Sequence, residues 1–152
     1  MNSDADYIRL ALKQAKKAAL MDEVPVGAVI IDNTNKIIGY GHNQPISLND
    51  PTAHAEILSL RMAAKKINNY RLLNTTIYVT LEPCVMCMSA IIHARVQRLV
   101  FGAYDLKSGG AGSIYDLPSD GKLNHDIETI GGILEAETSD IIKNFFKTKR
   151  SK

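Results

Sequence analysis

The sequence predicts an α/β protein in which one sheet carries helices on both faces. Three observations predict it. Apolar residues recur at helical spacing near both ends of the chain. β-rich runs alternate with helical stretches in between. The 152 residues suit one domain, read as 1–152, that can bury a real core.

The elements follow in order. Ser3, with Asp6 three residues on, reads as an N-cap with an acidic first turn. Tyr7, Ile8, Ala11, Leu12, Ala15, Ala18 and Ala19 then mark the inner face of a helix reaching Leu20, with Arg9, Lys13, Lys16 and Lys17 outside. Val24 to Ile31 and Lys36 to Gly41 are two strands joined by the turn cluster Asp32-Asn33-Thr34-Asn35. Gly27, Gly39 and Gly41 permit close backbone approach or a twisted, bulged strand. Asp50 as N-cap and Pro51 at the first helical position predict a helix to Lys66. Thr76 to Leu81 suits a buried strand, and Glu82-Pro83 is expected to start a third helix ending near Ala94. Val96 to Phe101 is a strand stopped by Gly102. Residues 104–124 form a long loop, and a loop of that length is functional or disordered. Ile127 to Ile133 is a last strand broken by Gly131-Gly132. Ala136 to Lys149 is a final helix, expected to bury Ile141, Ile142 and Phe145.

Composition narrows the class. Hydrophobic content of 45% and charged content of 22% are ordinary for a soluble globular protein. No apolar run approaches a membrane span, and no signal pattern opens the chain, so the expected location is the cytoplasm. The net charge of +2 is unevenly placed. Lys143, Lys147, Lys149, Arg150 and Lys152 gather at the end without an acid among them. This basic tail, about 147–152, reads either as a solvated terminus or as a phosphate attractor.

The chemistry lies in Pro83-Cys84-Val85-Met86-Cys87, which holds both cysteines. Two cysteines three apart do not make a disulfide framework. At a helix start they share a face, and the helix dipole favours thiolate, the metal-binding form. His54 opens the preceding helix, and two sulfurs with one imidazole suit tetrahedral zinc. Structural zinc takes four protein ligands and catalytic zinc takes three plus water. No third cysteine exists, and His93 lies half a helical turn out of phase with Cys84. His42 and His125 fall in loops and remain open as a fourth ligand. Glu56, at the same helix start as His54, can reach the pocket mouth and move protons beside the metal. Read alone, it is a first-turn acid complementing the dipole. A redox dithiol also fits Cys-x-x-Cys but gives His54-x-Glu56 no role.

His54-Ala55-Glu56 followed by Pro83-Cys84-Val85-Met86-Cys87 resembles the H-x-E…P-C-x-x-C signature of zinc-dependent nucleoside and nucleobase deaminases. Within that superfamily the chain resembles the bacterial tRNA-specific adenosine deaminases over nearly its whole length. The likeness includes Val24 to Val29, Gly41 to Pro45, Asp50 to Glu56, Asn69 to Leu72, Tyr78 to Cys87, Phe101 to Asp105 and the Phe145-Phe146 helix. It implies a three-layer α/β/α, cytidine-deaminase-like fold with a five-stranded mixed sheet. It implies one zinc per subunit on His54, Cys84 and Cys87, with Glu56 as proton shuttle. It implies a homodimer acting on the wobble adenosine of an arginine tRNA anticodon stem-loop, with inosine as product. Asn43, Val29, Ala53 and Asp105 are the substrate-binding residues it implies, and position 104 is Tyr where some relatives carry a basic residue.

The residues alone give blander readings beside these. Asn43 suits a turn before Pro45, and Asp105 suits a turn cap after a strand. Gly109-Gly110-Ala111-Gly112 lacks the Lys-Ser/Thr ending of a phosphate loop and reads as flexible. Phe146, Lys149 and Arg150 interleave an aromatic with positive charge as single-strand binders do, and Lys107 in the long loop is a further candidate RNA contact. Two rivals stand beside tRNA deamination. One is a deaminase of free guanine, cytosine or a nucleoside, and the other a non-catalytic zinc module binding RNA or protein.

Overall fold

The computed structural model describes residues 2–150. Its elements are α1 (Asp4–Leu20), β1 (Gly27–Ile31), β2 (Ile37–His42), α2 (Ala55–Ile67), β3 (Thr76–Leu81), α3 (Val85–His93), β4 (Arg98–Ala103), β5 (Glu128–Ile130) and α4 (Glu135–Arg150). The five strands form one mixed sheet in the order β2-β1-β3-β4-β5. β1 runs antiparallel to β2 and β3, while β3, β4 and β5 are parallel. The five-stranded mixed sheet expected from the resemblance is therefore present.

Strand alternation sends side chains to two cores. Ala28, Ile30, Ile77, Val79 and Leu99 pack with Ala55, Leu60 and Ala63 of α2 and Met88, Ile91 and Ile92 of α3. Val29, Ile31, Tyr78 and Val100 pack on the opposite face with Tyr7, Ile8 and Ala11 of α1. A side chain at Gly27 would collide with the α1 backbone at Ala11, and one at Gly41 would come within 2.9 Å of the Ala55 carbonyl. These glycines let both helix layers press onto the sheet, and β1 also carries an irregularity between Ile30 and Ile31.

Local signals explain most boundaries. Ser3 and Asp6 form a reciprocal capping box at α1. Asp32 Oδ1 accepts from Thr34 N, Thr34 Oγ1 and Lys36 N, which closes the β1–β2 hairpin. Asn68, left-handed at φ 55°, ends α2.

Several boundaries differ from expectation for identifiable reasons. The second helix starts at Ala55, not after Asp50 and Pro51, because Asp50 Oδ1 is taken by Thr52 N and Thr52 Oγ1 in a turn of its own. The third helix starts at Val85, because the Glu82 side chain bonds a distant loop instead of capping it. β4 continues through Gly102 to Ala103, since the missing side chain at Gly102 makes room for Thr138 of α4. In α4 only Thr138 is fully buried, while Ile141, Ile142 and Phe145 are half-buried. Met88, Ile91 and Ile92 of α3 are core residues.

Asp4 anchors the start of α1 to the sheet. Its carboxylate accepts from Arg98 Nη1 at 2.8 Å, from Arg98 Nη2 at 2.5 Å and from the Tyr78 hydroxyl at 2.8 Å. The Arg98 hydrogen bond, opposed by burial, holds the Asp4 carboxyl below its ordinary range. Because the folded value is lowered, the stabilisation is present above the unfolded value and is lost as pH falls through the folded one. Asp4→Asn is expected to cost about 1 kcal/mol at pH 7, discounted for partial solvent access. Urea titrations of both proteins should show that gap closing in strong acid.

Candidate active site

α2 and α3 begin beside each other on one side of the sheet, and each begins on a residue that could hold a metal ion. His54 is the N-cap of α2 and Cys84 the N-cap of α3. Neither side chain caps its own helix. Both turn instead toward Cys87, in the first turn of α3. His54 Nδ1 lies 3.6 Å from Cys84 Sγ and 3.3 Å from Cys87 Sγ. The three donor atoms all fall within 4.8 Å of one another.

This geometry fits zinc. Bond lengths of about 2.3 Å to sulfur and 2.0–2.1 Å to nitrogen place tetrahedral S and N donors about 3.5 Å apart. The donor chemistry agrees. Hydrogen bonds from Cys87 and then His54 hold the Cys84 thiol down at about 4, in its thiolate form, against the opposing effect of burial. The Cys87 thiol is pushed up, first by its hydrogen bond to Cys84 and then by burial. The hydrogen bond to Cys84 raises His54. Among the described residues no fourth His, Cys, Asp or Glu joins the cluster. His125 Nε2 bonds the Val96 carbonyl at 2.7 Å, and His42 sits on β2 facing a hollow lined by Tyr40 and Arg61.

Glu56, in the first turn of α2, is buried at 4% exposure. Burial is the main reason its carboxyl is pushed up to about 7. His54, Cys84 and Cys87 also act on it, since the carboxyl lies beside the cluster. The first-turn position leans it back toward the helix start, which is why His54 and Glu56 meet here despite a separation of two.

Residues 2–150 match the MafB19-like deaminase family. The chain is 52% identical over 147 residues to the tRNA-specific adenosine deaminase of Haemophilus influenzae, covering 97% of this chain and 85% of that one. The chain belongs to the tRNA-specific adenosine deaminase family. The Bacillus subtilis relative of the same name is 41% identical over 152 residues, covering 100% of this chain and 94% of that one. A solved structure from the tRNA:A34 deaminases, which carry out A-to-I editing at the wobble position, superposes with a TM-score of 0.86. It is 41% identical and covers 89% of this chain and 97% of that one. A guanine deaminase from Nitrosomonas europaea shares the fold, with a TM-score of 0.81 at 22% identity over 95% of this chain and 85% of that one.

The remaining expected site residues of this family member divide into groups. Asn43 is buried at the entry to α2, where its Oδ1 accepts from Ala55 N at 2.9 Å. It thus supplies the helix cap that His54 does not. Ala53 is fully buried, and its carbonyl accepts from Gln44 N. Asp105, Lys107 and Phe146 line one cavity of about 430 Å³ with Val24, Leu81 and Tyr104, at the C-terminal ends of β3 and β4. Asp105 also caps its own loop, accepting from Lys107 N, Ser108 N and Ser108 Oγ.

Val29 is misplaced by the sequence reading. Its side chain points into the α1-side core, across the sheet from the cluster, because it is one residue out of phase with Ala28 and Ile30. Val24 is the valine that reaches the cavity. Lys149 lies outside that cavity, paired with Asp22 at 2.5 Å and set over the Phe145 ring. Arg150 is exposed at the end of α4, and Ser151 and Lys152 of the basic tail lie outside the described residues. Tyr104 stacks edge-on against Phe101 with ring centroids 5.2 Å apart.

Two buried acids have roles the sequence does not show, Glu82 reading there only as a helix start. Glu23 accepts from Ile46 N at 3.2 Å and Ser47 N at 2.8 Å, tying down the loop after Asn43. Glu82 does the same for the loop after β4. A charge beside a buried strand or an apolar Val-Pro step was their one visible signal.

Cys87→Ala is expected to bind under a tenth of the zinc held by the parent chain. Zinc analysis of the purified proteins checks this, and equal zinc in both would remove Cys87 from the ligand set.

Proposed function

We propose that this chain deaminates the wobble adenosine of a tRNA anticodon, in an arginine tRNA, to inosine by hydrolysis. The observation that carries the reading is a buried Glu56 against the His54, Cys84 and Cys87 cluster, in a chain 41% identical to a solved tRNA:A34 deaminase. His54, Cys84 and Cys87 would hold one zinc per subunit. Zinc bound there supplies the polarisation that brings the pKa of a water toward 7.

Glu56 carries the protons. Its carboxylate takes a proton from the attacking water, and the resulting acid gives it to N1 of the adenine as oxygen adds to C6. A second transfer through the same carboxyl reaches the departing amino group and releases ammonia. A carboxyl held near 7 by burial is suited to both directions. Anticodon bases are unpaired, so extruding one costs less than from a duplex.

Asn43 would meet the nucleotide through its amide nitrogen, since its oxygen is committed to Ala55. Ala53 would present backbone at the same rim. Asp105, Lys107 and Phe146 would form the wall for neighbouring nucleotides, and Arg150 with Lys149 would add charge for the phosphates. Asp105 holds the turn of that wall through its three accepted bonds.

The enzyme would act as a homodimer in the cytoplasm. An apolar hollow between α2 and α3, lined by Ile57, Leu60, Ala64, Tyr70 and Ala90, supports pairing through that face. Among the described residues no helix is long and apolar enough to cross a membrane.

Incubation with an arginine tRNA carrying A at the wobble position, beside free adenosine, cytosine and guanine, tests the reading. Inosine should form in the tRNA alone, and turnover of a free base alone would replace this function. In the same assay Glu56→Ala should lose about 100- to 10,000-fold in kcat while keeping its zinc.

A further inference from the structure

We propose that Glu82 is a positioning residue that fixes the loop of residues 105–113, whose residues 105–108 form the substrate wall, at a set distance from the metal ligand Cys84. This rests on the tRNA reading above for what the wall receives, but not for the clasp itself. Glu82 is 2% exposed, and its carboxylate is wholly engaged by that loop. Oε1 accepts from Asp105 N at 3.0 Å and from the Ser113 hydroxyl. Oε2 accepts from Ala111 N at 2.9 Å and Ser113 N at 3.1 Å. One carboxylate therefore gathers both ends of the loop.

The same loop is stitched to the metal-ligand segment. Gly110 N donates to the Pro83 carbonyl at 2.7 Å, and Gly109 pairs with Cys84 in a short antiparallel bridge. The two glycines make this possible. A side chain at Gly109 would strike the Glu82 carboxylate, and one at Gly110 would come within 3.0 Å of the Cys84 backbone. The glycine run that reads as flexible in the sequence is thus packed against Pro83 and Cys84. The run directly follows the cavity wall of Asp105, Leu106, Lys107 and Ser108.

The two carboxyl oxygens suit this task because both serve here as acceptors. Four donors converge on two oxygens, and a glutamine would turn an N–H₂ group toward backbone N–H groups. The wall would then separate from Pro83 and Cys84 without loss of any ligand. Nucleotides beside the reacting base depend on that wall for placement, whereas proton transfer depends on Glu56.

The test compares the zinc-loaded parent chain with Glu82→Gln and Ser113→Ala. Ser113→Ala deletes only the hydroxyl bond, so it reports on the clasp even where Glu82→Gln does not fold. Amide hydrogen exchange is read at Asp105, Ala111 and Ser113, and kcat and KM are read on an anticodon stem-loop. The clasp predicts faster exchange at those amides in both variants, greater in Glu82→Gln, with zinc content kept. It predicts KM raised about tenfold or more in Glu82→Gln, with kcat within about threefold. Unchanged exchange would overturn it, as would lost zinc or a fall in kcat at constant KM. Failure of the tRNA reading would show separately, as absence of inosine with the parent chain, while the exchange result still decides the clasp.

Discussion

Two helix starts meeting at one point constrain everything else in this protein. His54 and Cys84 occupy N-cap positions, where Ser, Thr, Asp or Asn would ordinarily satisfy the first amides. Here those positions are given to side chains that could hold a metal, and the α2 cap comes from elsewhere. Asn43 bonds the first amide of α2 from the end of β2, so a residue expected to touch substrate also holds the helix carrying Glu56. Positive helix termini then face the cluster, which favours thiolate at Cys84.

The sheet topology makes this meeting possible. β3 leads directly into Pro83 and Cys84, and the antiparallel β1–β2 hairpin delivers Asn43 and His54 alongside. Glycines at 39 and 41 let α2 press onto β2 near its start, while Gly27 does the same for α1 on the other face. Buried acids complete the arrangement on each flank. Glu23 restrains the loop beyond Asn43 and Glu82 restrains the loop beyond β4, so both rims are set by backbone amides bonded to a carboxylate. Such buried, fully bonded acceptors are costly to leave unpaired, which makes the rims rigid.

Much of this was legible in the sequence because it is local. β3 was read at its true bounds, and the α1 cap and the β1–β2 turn follow from short-range hydrogen bonds. The grouping of His54, Cys84 and Cys87 was legible because their spacing around helix starts carries chemistry. What escaped depends on contacts far along the chain. Asp50 signalled a helix start that its bond to Thr52 diverts. Glu82 lies 23 residues from Asp105 and 31 from Ser113, so nothing near it revealed its role. The resemblance assigned Val29 to the base site, but its strand phase turns it to the α1 side, where one residue's shift reverses the face. The 109–112 glycines looked flexible because their packing partner, the Cys84 backbone, belongs to another segment.

The central claim is that three side chains leave one position for solvent next to Glu56. Zinc K-edge X-ray absorption of the loaded protein tests it most directly. The account predicts two sulfur neighbours, one imidazole and one further light atom, with that last neighbour exchanging for an added inhibitor or substrate analogue. A second imidazole or a protein carboxylate filling the fourth position, unchanged by such ligands, would contradict it.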